Sequence, residues 1–439
     1  MADIRTPGVP GADAIGPYRP PFLKSLMPLV LLLVAILPLK QHPIWTGAGG
    51  AFSGIKIVGL ACVVYALIHL LNRRRWPRYL STWQARWFLV FALLAFTSSL
   101  RASFSFYFLA LASLLLLFFI LVSVVDSIKR LRWVVLTAVA SLGWASLYVL
   151  REWQQHQGWA TAYRGAWVVG DENHFAISAI CAIPLAWFMA QRRGPRWERW
   201  FLLGCMLLTF VATLLAASRG GLLGLVAAML FMVFRSPHRG RNFAIVFVLL
   251  GVFNIAYPRS PLQRLIHPNV YDKGSESAHK ASWQAGLHMI SEHPLAGVGV
   301  GAFKSQMEEY APDWYDGPAF MAHNAYISVG AEMGIPGLLL FLSILIATCV
   351  SLERTYRNKS APLLITRTAV ALQAGLIGNS ISISFISAEL HEHLWFIIVM
   401  SACLPPLVKR AQARAARRLH QEVRSGSDPG LTVHSTETA

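Results

Sequence analysis

The stretch HNAYISVGAEMGIPGLLLFLSILIATCV (323–350) decides the fold class. A polar head, His323-Asn324, opens an apolar run long enough to cross a bilayer, since roughly 20 mostly apolar residues span about 30 Å of hydrocarbon. Gly334, Pro336 and Gly337 interrupt the run and predict a kink with close packing. Reading outward, eleven more stretches share this character: 25–39, 52–72, 84–100, 104–125, 133–150, 174–190, 199–217, 220–234, 242–257, 362–386 and 390–408. The pattern predicts an all-α polytopic membrane protein with about 12 transmembrane helices. Strand-type alternation, the mark of a membrane barrel, is absent.

Composition agrees. Of the 439 residues 55% are hydrophobic and only 14% charged, and the mean hydropathy is +0.49. The net charge of +18 would suggest nucleic acid in a soluble chain. Here apolar runs divide the basic residues into short clusters, which excludes a nucleic-acid binder. With the N-terminus set in the cytoplasm, 27 of the 39 Lys+Arg fall in cytoplasmic loops and tail and 10 on the opposite side. That asymmetry orients the chain in the inner membrane with both termini inside. Residues 1–24 read as a cytoplasmic segment ahead of an uncleaved first span, 25–408 as the membrane domain, and 409–439 as a basic cytoplasmic tail suited to anionic lipid. The five cysteines lie within spans and read as small core hydrophobes.

The outer, periplasmic side carries the chemistry. Its longest loop, about 258–322, holds Trp283, Tyr310, Trp314 and Tyr315 and shows helical periodicity through 279–292. One or two short amphipathic helices closing over a site are expected there. Ionisable residues collect at span ends on the same side: Arg164, Asp171, Glu172 and His174, then Arg219, His323, Glu389, His391 and His393. Mid-membrane charge is sparse (Lys56, Glu332 and Arg367), which favours interfacial chemistry over a proton relay through the membrane.

Ser218-Arg219-Gly220-Gly221 at a helix start offers a guanidinium, backbone N–H groups and side-chain-free positions, an arrangement suited to phosphate. His323 at a helix N-terminus feels the positive dipole end, which disfavours imidazolium and leaves a base for a hydroxyl proton. The same residues also fit a lipid-facing arginine and a histidine capped by Asn324. Lys280 and its neighbour His279 can fold down over a diphosphate from the long loop. Asp171 and Glu172 are a weak candidate for a divalent cation. The chain has no zinc spacing, phosphate-binding Gly-Lys loop or dinucleotide fingerprint, and no cofactor is expected.

His323-Asn324, nine residues, Gly334, two residues and Gly337 resembles the signature of bacterial O-antigen ligases, the WaaL family within the O-antigen ligase/polymerase superfamily. Arg164 with Gly170-Asp171-Glu172-Asn173, the Ser218–Gly221 turn, and Trp283 followed by HPLAGVGVGAF (293–303) are similar to that superfamily too. The resemblance implies a GT-C-like, inverting, metal-independent glycosyltransferase. Its donor would be undecaprenyl-diphosphate-linked O-antigen and its acceptor a sugar hydroxyl of lipid A–core. It further implies that His323 is the general base and that Arg219 and Arg164 bind the donor diphosphate, with Asn324, Ser218, Gly220 and Asp171 in support. Where the family has an arginine four residues before the loop tryptophan, this chain has His279, with Lys280 next to it. Which of the two meets the diphosphate stays open in the sequence. An O-antigen polymerase, an O-linked protein oligosaccharyltransferase and a non-enzymatic flippase of lipid-linked sugar are the competing readings.

Overall fold

A computed structural model describes residues 21–39, 57–62, 64, 82–99, 106–156, 171–191, 194–236, 238–256, 260, 263, 266–267 and 270–426. Arg164, Gly170, Lys56 and the ends of the chain lie outside the described residues. Besides helical residues at 57–62 and 64, thirteen α-helices run in order among those described: α1 (Pro21–Ile36), α2 (Trp83–Ser99), α3 (Phe106–Val124), α4 (Ile128–Gln155), α5 (Glu172–Ala190), α6 (Arg196–Leu215) and α7 (Arg219–Phe234). They continue with α8 (Arg239–Ala256), α9 (Val270–Glu292), α10 (Phe303–Tyr310), α11 (Ala325–Arg357), α12 (Leu363–Ser382) and α13 (Glu392–Gly426). No strand occurs among the described residues.

Each of the twelve apolar stretches contains helix. Among the described residues six helices are long and apolar enough to cross a membrane: α4, α5, α6, α11, α12 with its 3-10 extension to Phe385, and α13. Three shorter apolar helices lie at Met27–Ile36, Ala110–Val124 and Arg219–Phe234. The architecture is that of a multi-pass membrane protein. Residues 409–426, in the basic tail, continue α13 past Pro405 and Pro406.

Paired helix ends sort the bundle into two faces. Arg132 near the start of α4 donates to Glu198 at the start of α6, and Arg235 at the end of α7 pairs with Glu353 near the end of α11. The starts of α5, α7, α11 and α13 meet on the other face. Tight backbone approach holds this frame. A Cβ on Gly224 of α7 would lie 2.5 Å from the Gly378 carbonyl of α12, and one on Gly378 would lie 2.6 Å from the Gly224 carbonyl. Such small-residue contacts are how helices pack closely where lipid supplies no hydrophobic drive. The aromatic centre of the core is Trp395 of α13, stacked on Phe88 of α2 at 4.0 Å.

Helix α11 is broken at Gly334, which sits at φ 71°, ψ −177°. Backbone groups freed inside a membrane need new partners, and the loop 293–303 supplies them. Val298 N–H donates to Ala331 O (2.8 Å), Gly299 N–H to Glu332 O (3.2 Å), and Ile335 N–H to Pro294 O (2.7 Å). Ser98 of α2 donates to Glu332 O (2.6 Å), and the Glu332 carboxylate accepts from Phe303 N–H (3.2 Å). The buried mid-span glutamate therefore pins the start of α10 to the broken helix. A side chain at Gly334 would strike the Pro294 carbonyl, and one at Gly297 (φ +66°) would strike the Glu332 backbone, so both positions require glycine.

Candidate functional site

The site is assembled from helix starts. At α11, Asn324 is the N-cap, and its side-chain oxygen accepts from Tyr326 N–H (3.0 Å) and Ile327 N–H (3.1 Å). The residue before the cap, His323, takes a left-handed backbone with φ 48°. At α7 the N-cap is Ser218, which accepts from Gly221 N–H (3.1 Å) and donates to Asn173 Oδ1 at the start of α5 (2.7 Å). The residue before that cap, Ala217, is also left-handed, with φ 49°. Among the described residues these two are the only non-glycine positions with positive φ. Histidine adopts this region more readily than most residues, whereas alanine gains nothing from it and bears about 1–2 kcal/mol of strain. At α5 the N-cap is Asp171, accepting from Asn173 N–H (2.7 Å) and His174 N–H (3.2 Å).

Helix α9 lies across these starts, packed against α11 through Gly286, where a Cβ would lie 2.3 Å from Ile327. That docking lays the His279 ring flat on the His323 ring, with centroids 4.5 Å apart and planes 4° apart. Burial pushes the His279 imidazole down to about 4, with His323 and the Arg219 guanidinium adding to the fall. Burial also lowers His323 from its usual 6.5, while the Asp171 carboxylate pulls it back up. Both imidazoles are thus neutral at pH 7, each with a ring nitrogen able to accept a proton.

These electrostatic links join His323, His279, Asp171 and Arg219 in one neighbourhood. Trp283 follows one turn after His279 on the same face of α9, and its indole N–H is buried without an acceptor among the described residues. Lys280 points elsewhere: its ammonium pairs with Glu276 at 3.1 Å and its side chain is 65% exposed. On this geometry His279, not Lys280, is the loop residue that meets His323. Gly220 and Gly221 also differ from their expected use as an open approach for a ligand. A Cβ on Gly220 would lie 2.7 Å from Phe385, and one on Gly221 would lie 2.4 Å from Ala176, so both serve helix packing.

The start of α13 completes the ring. His391 stacks on His174 at 5.2 Å, His393 Nδ1 lies 3.1 Å from Ser178 Oγ, and Ser328 of α11 donates to Glu389 (3.2 Å). His391, Glu392 and His393 each bring one ligand atom within 4.8 Å of the others, close enough to share a cation. Two of the ring nitrogens already have protein contacts, His391 Nδ1 accepting from His393 N–H (3.2 Å) and His393 Nδ1 lying against Ser178. Beside this ring a narrow, mostly apolar cavity between α2, α3 and α11 is lined by Phe91, Tyr107, Val329, Glu332 and Glu389.

Comparison with curated proteins yields no match. Residues 204–342, which hold Arg219, His279 and His323, match the family Wzy_C, O-antigen ligase.

Proposed function

We propose that the protein is an O-antigen ligase, transferring O-antigen from undecaprenyl diphosphate to a sugar hydroxyl of lipid A–core at the periplasmic face of the inner membrane. The observation that carries this reading is the neutral His323, presented by a left-handed turn beside the Arg219 helix start, within the segment that matches the ligase family.

His323 takes the proton of the acceptor hydroxyl as that oxygen attacks the anomeric carbon. The bond from that carbon to the diphosphate oxygen breaks, and its electron pair leaves with undecaprenyl diphosphate. Arg219 meets the charge that develops on the leaving group, assisted by the N–H groups at the start of α7. Arg164 is assigned to the same charge from the sequence. Lys280, paired with Glu276, serves the diphosphate less directly than its position in the chain suggests. His279 is neutral and so contributes no cation at pH 7. Its parallel stack fixes the plane of His323, and Trp283 N–H is placed to donate to a sugar or phosphate oxygen. Attack opposite the leaving group inverts the anomeric configuration.

Purified protein incubated with lipid-linked glycan and lipid A–core, in the presence of a chelator, tests this directly. Glycosylated lipid A–core supports the ligase. Extension of one lipid-linked glycan by another instead identifies a polymerase. Movement of labelled lipid without bond cleavage identifies a flippase. Loss of product in chelator, restored by a divalent cation, would transfer attention to His391, Glu392 and His393.

A further inference from the structure

The far end of α13 poses a separate question. With a rise of about 1.5 Å per residue, Arg410 lies about 27 Å along the helix from Glu392, and Arg418 about 39 Å. Since Glu392 starts on the His323 face, these residues emerge through the opposite head-group layer. Arg410, Arg414 and Arg418 recur every four residues and so share one face of α13. That face does not lie against open water. It forms one wall of an open cleft of about 410 Å3, whose other wall is the turn between α3 and α4 at Asp126, Ser127 and Ile128.

The cleft is graded from apolar to cationic. Its inner end holds Leu407, which is buried, and Ile128, which is half-buried; its outer end holds the exposed Arg414 and Arg418. Arg410 is fixed in the wall by donating to the Asp126 carbonyl (2.7 Å). The one carboxylate lining the cleft, that of Asp126, is engaged by Arg130 at 3.2 Å. Among the described residues neither Arg414 nor Arg418 pairs with a carboxylate. This contrasts with Arg132, Arg235 and Arg357 on the same face, which are held by Glu198 and Glu353. Two guanidinium groups therefore remain available for bidentate phosphate binding at head-group depth, above an apolar floor.

We infer that this cleft binds the phosphate head group of an anionic glycerophospholipid, with Arg414 and Arg418 as the phosphate ligands and the acyl chains descending past Ile128 and Ala411. The grading selects this occupant. A free anion has no use for the apolar end at Ile128 and Ala411. The inference is independent of the glycosyl-transfer reading.

The test uses full-length protein in nanodiscs of phosphatidylethanolamine with and without phosphatidylglycerol, with bound lipid counted by native mass spectrometry. Wild-type protein is expected to retain phosphatidylglycerol in preference to phosphatidylethanolamine. The double variant Arg414→Gln/Arg418→Gln is expected to lose that preference by roughly tenfold or more. The control Lys409→Gln/Arg424→Gln removes equal charge from positions outside the cleft and is expected to change it less than about twofold. Equal losses in the two double variants would overturn the inference in favour of diffuse surface charge. Displacement of the lipid by millimolar inorganic phosphate would overturn it in favour of a free-anion site. Should the Arg414/Arg418 variant fail to fold, the wild-type competition between the two lipids decides, and absence of preference overturns the inference.

Discussion

Helices α7 and α11 begin alike and do different things. Each is preceded by a left-handed residue, Ala217 or His323, and each is capped by a short polar side chain, Ser218 or Asn324. In α11 the turn delivers its own left-handed residue, and the imidazole is carried out against His279. In α7 the left-handed residue is inert, and the turn instead sets Arg219 at the first helical position while Gly220 and Gly221 draw the helix against Phe385 and Ala176. One backbone device thus presents a base in one helix and a cation in the other. What differs is whether the side chain of interest precedes the cap or follows it.

The sharpest way to break the comparison is to replace the two left-handed residues with glycine, which accepts that backbone without strain. His323→Gly is expected to reduce glycan transfer by about 100-fold to 10,000-fold, the usual range for loss of a general base. Ala217→Gly is expected to leave transfer intact and to hold or raise the melting temperature. Equal activity in the two variants would remove His323 from the chemistry. Next in size is Arg219→Ala, expected to weaken donor use by about tenfold to a hundredfold, as befits loss of a charged hydrogen bond. Arg219→Lys should recover part of this, read as kcat/KM against donor concentration.

The break in α11 has no counterpart in α7, and Gly334→Ala tests what it contributes. The new methyl would meet Pro294 O at 2.6 Å in a backbone disfavoured for alanine. The expected result is a fall in stability of at least about 1 kcal/mol, seen as a lower melting temperature in detergent, with activity falling alongside it. The caps come next. Asn324→Ala and Ser218→Ala should each cost about 1 kcal/mol. Ser218→Ala should cost the more, because it also removes the hydrogen bond to Asn173.

The smallest expected effect concerns pH. Burial holds His323 below 6.5, so transfer should persist under pH 6.5 and fall only as the imidazole protonates at lower pH. Asp171 raises that pKa, so Asp171→Asn, which keeps the cap but removes the charge, should move the acid limb to still lower pH. An upward shift would contradict the electrostatic link between α5 and α11.

Much of this was legible in residues 323–350. The polar head, the apolar run and Gly334 together specify a membrane helix that starts at an interface and breaks part-way. The caps at Asp171 and Ser218 leave the same kind of local signal, a short oxygen-bearing side chain ahead of an apolar run, although in sequence Asp171 reads as a cation candidate and Ser218 as part of a phosphate-binding turn. The choice between His279 and Lys280 was not readable. Adjacent residues on a helix point about 100° apart, and only the docking of α9 on Ile327 decides which one faces His323. Gly220 and Gly221 are ambiguous for a similar reason, since a missing side chain admits either a phosphate or a neighbouring helix.

The sequence by itself determined a helical membrane protein with basic residues concentrated toward one face, polar helix starts on the other, and a histidine of the right type at one of them. Hydropathy, caps and charge bias are local properties, each set by a few consecutive residues. Tertiary structure alone decided that loop 293–303 repairs the break at Gly334, that His279 lies flat on His323, and that Arg414 and Arg418 line a cleft with no carboxylate partner among the described residues. Each of these depends on which surface meets which across separate helices, and that is fixed by packing between residues far apart in the chain.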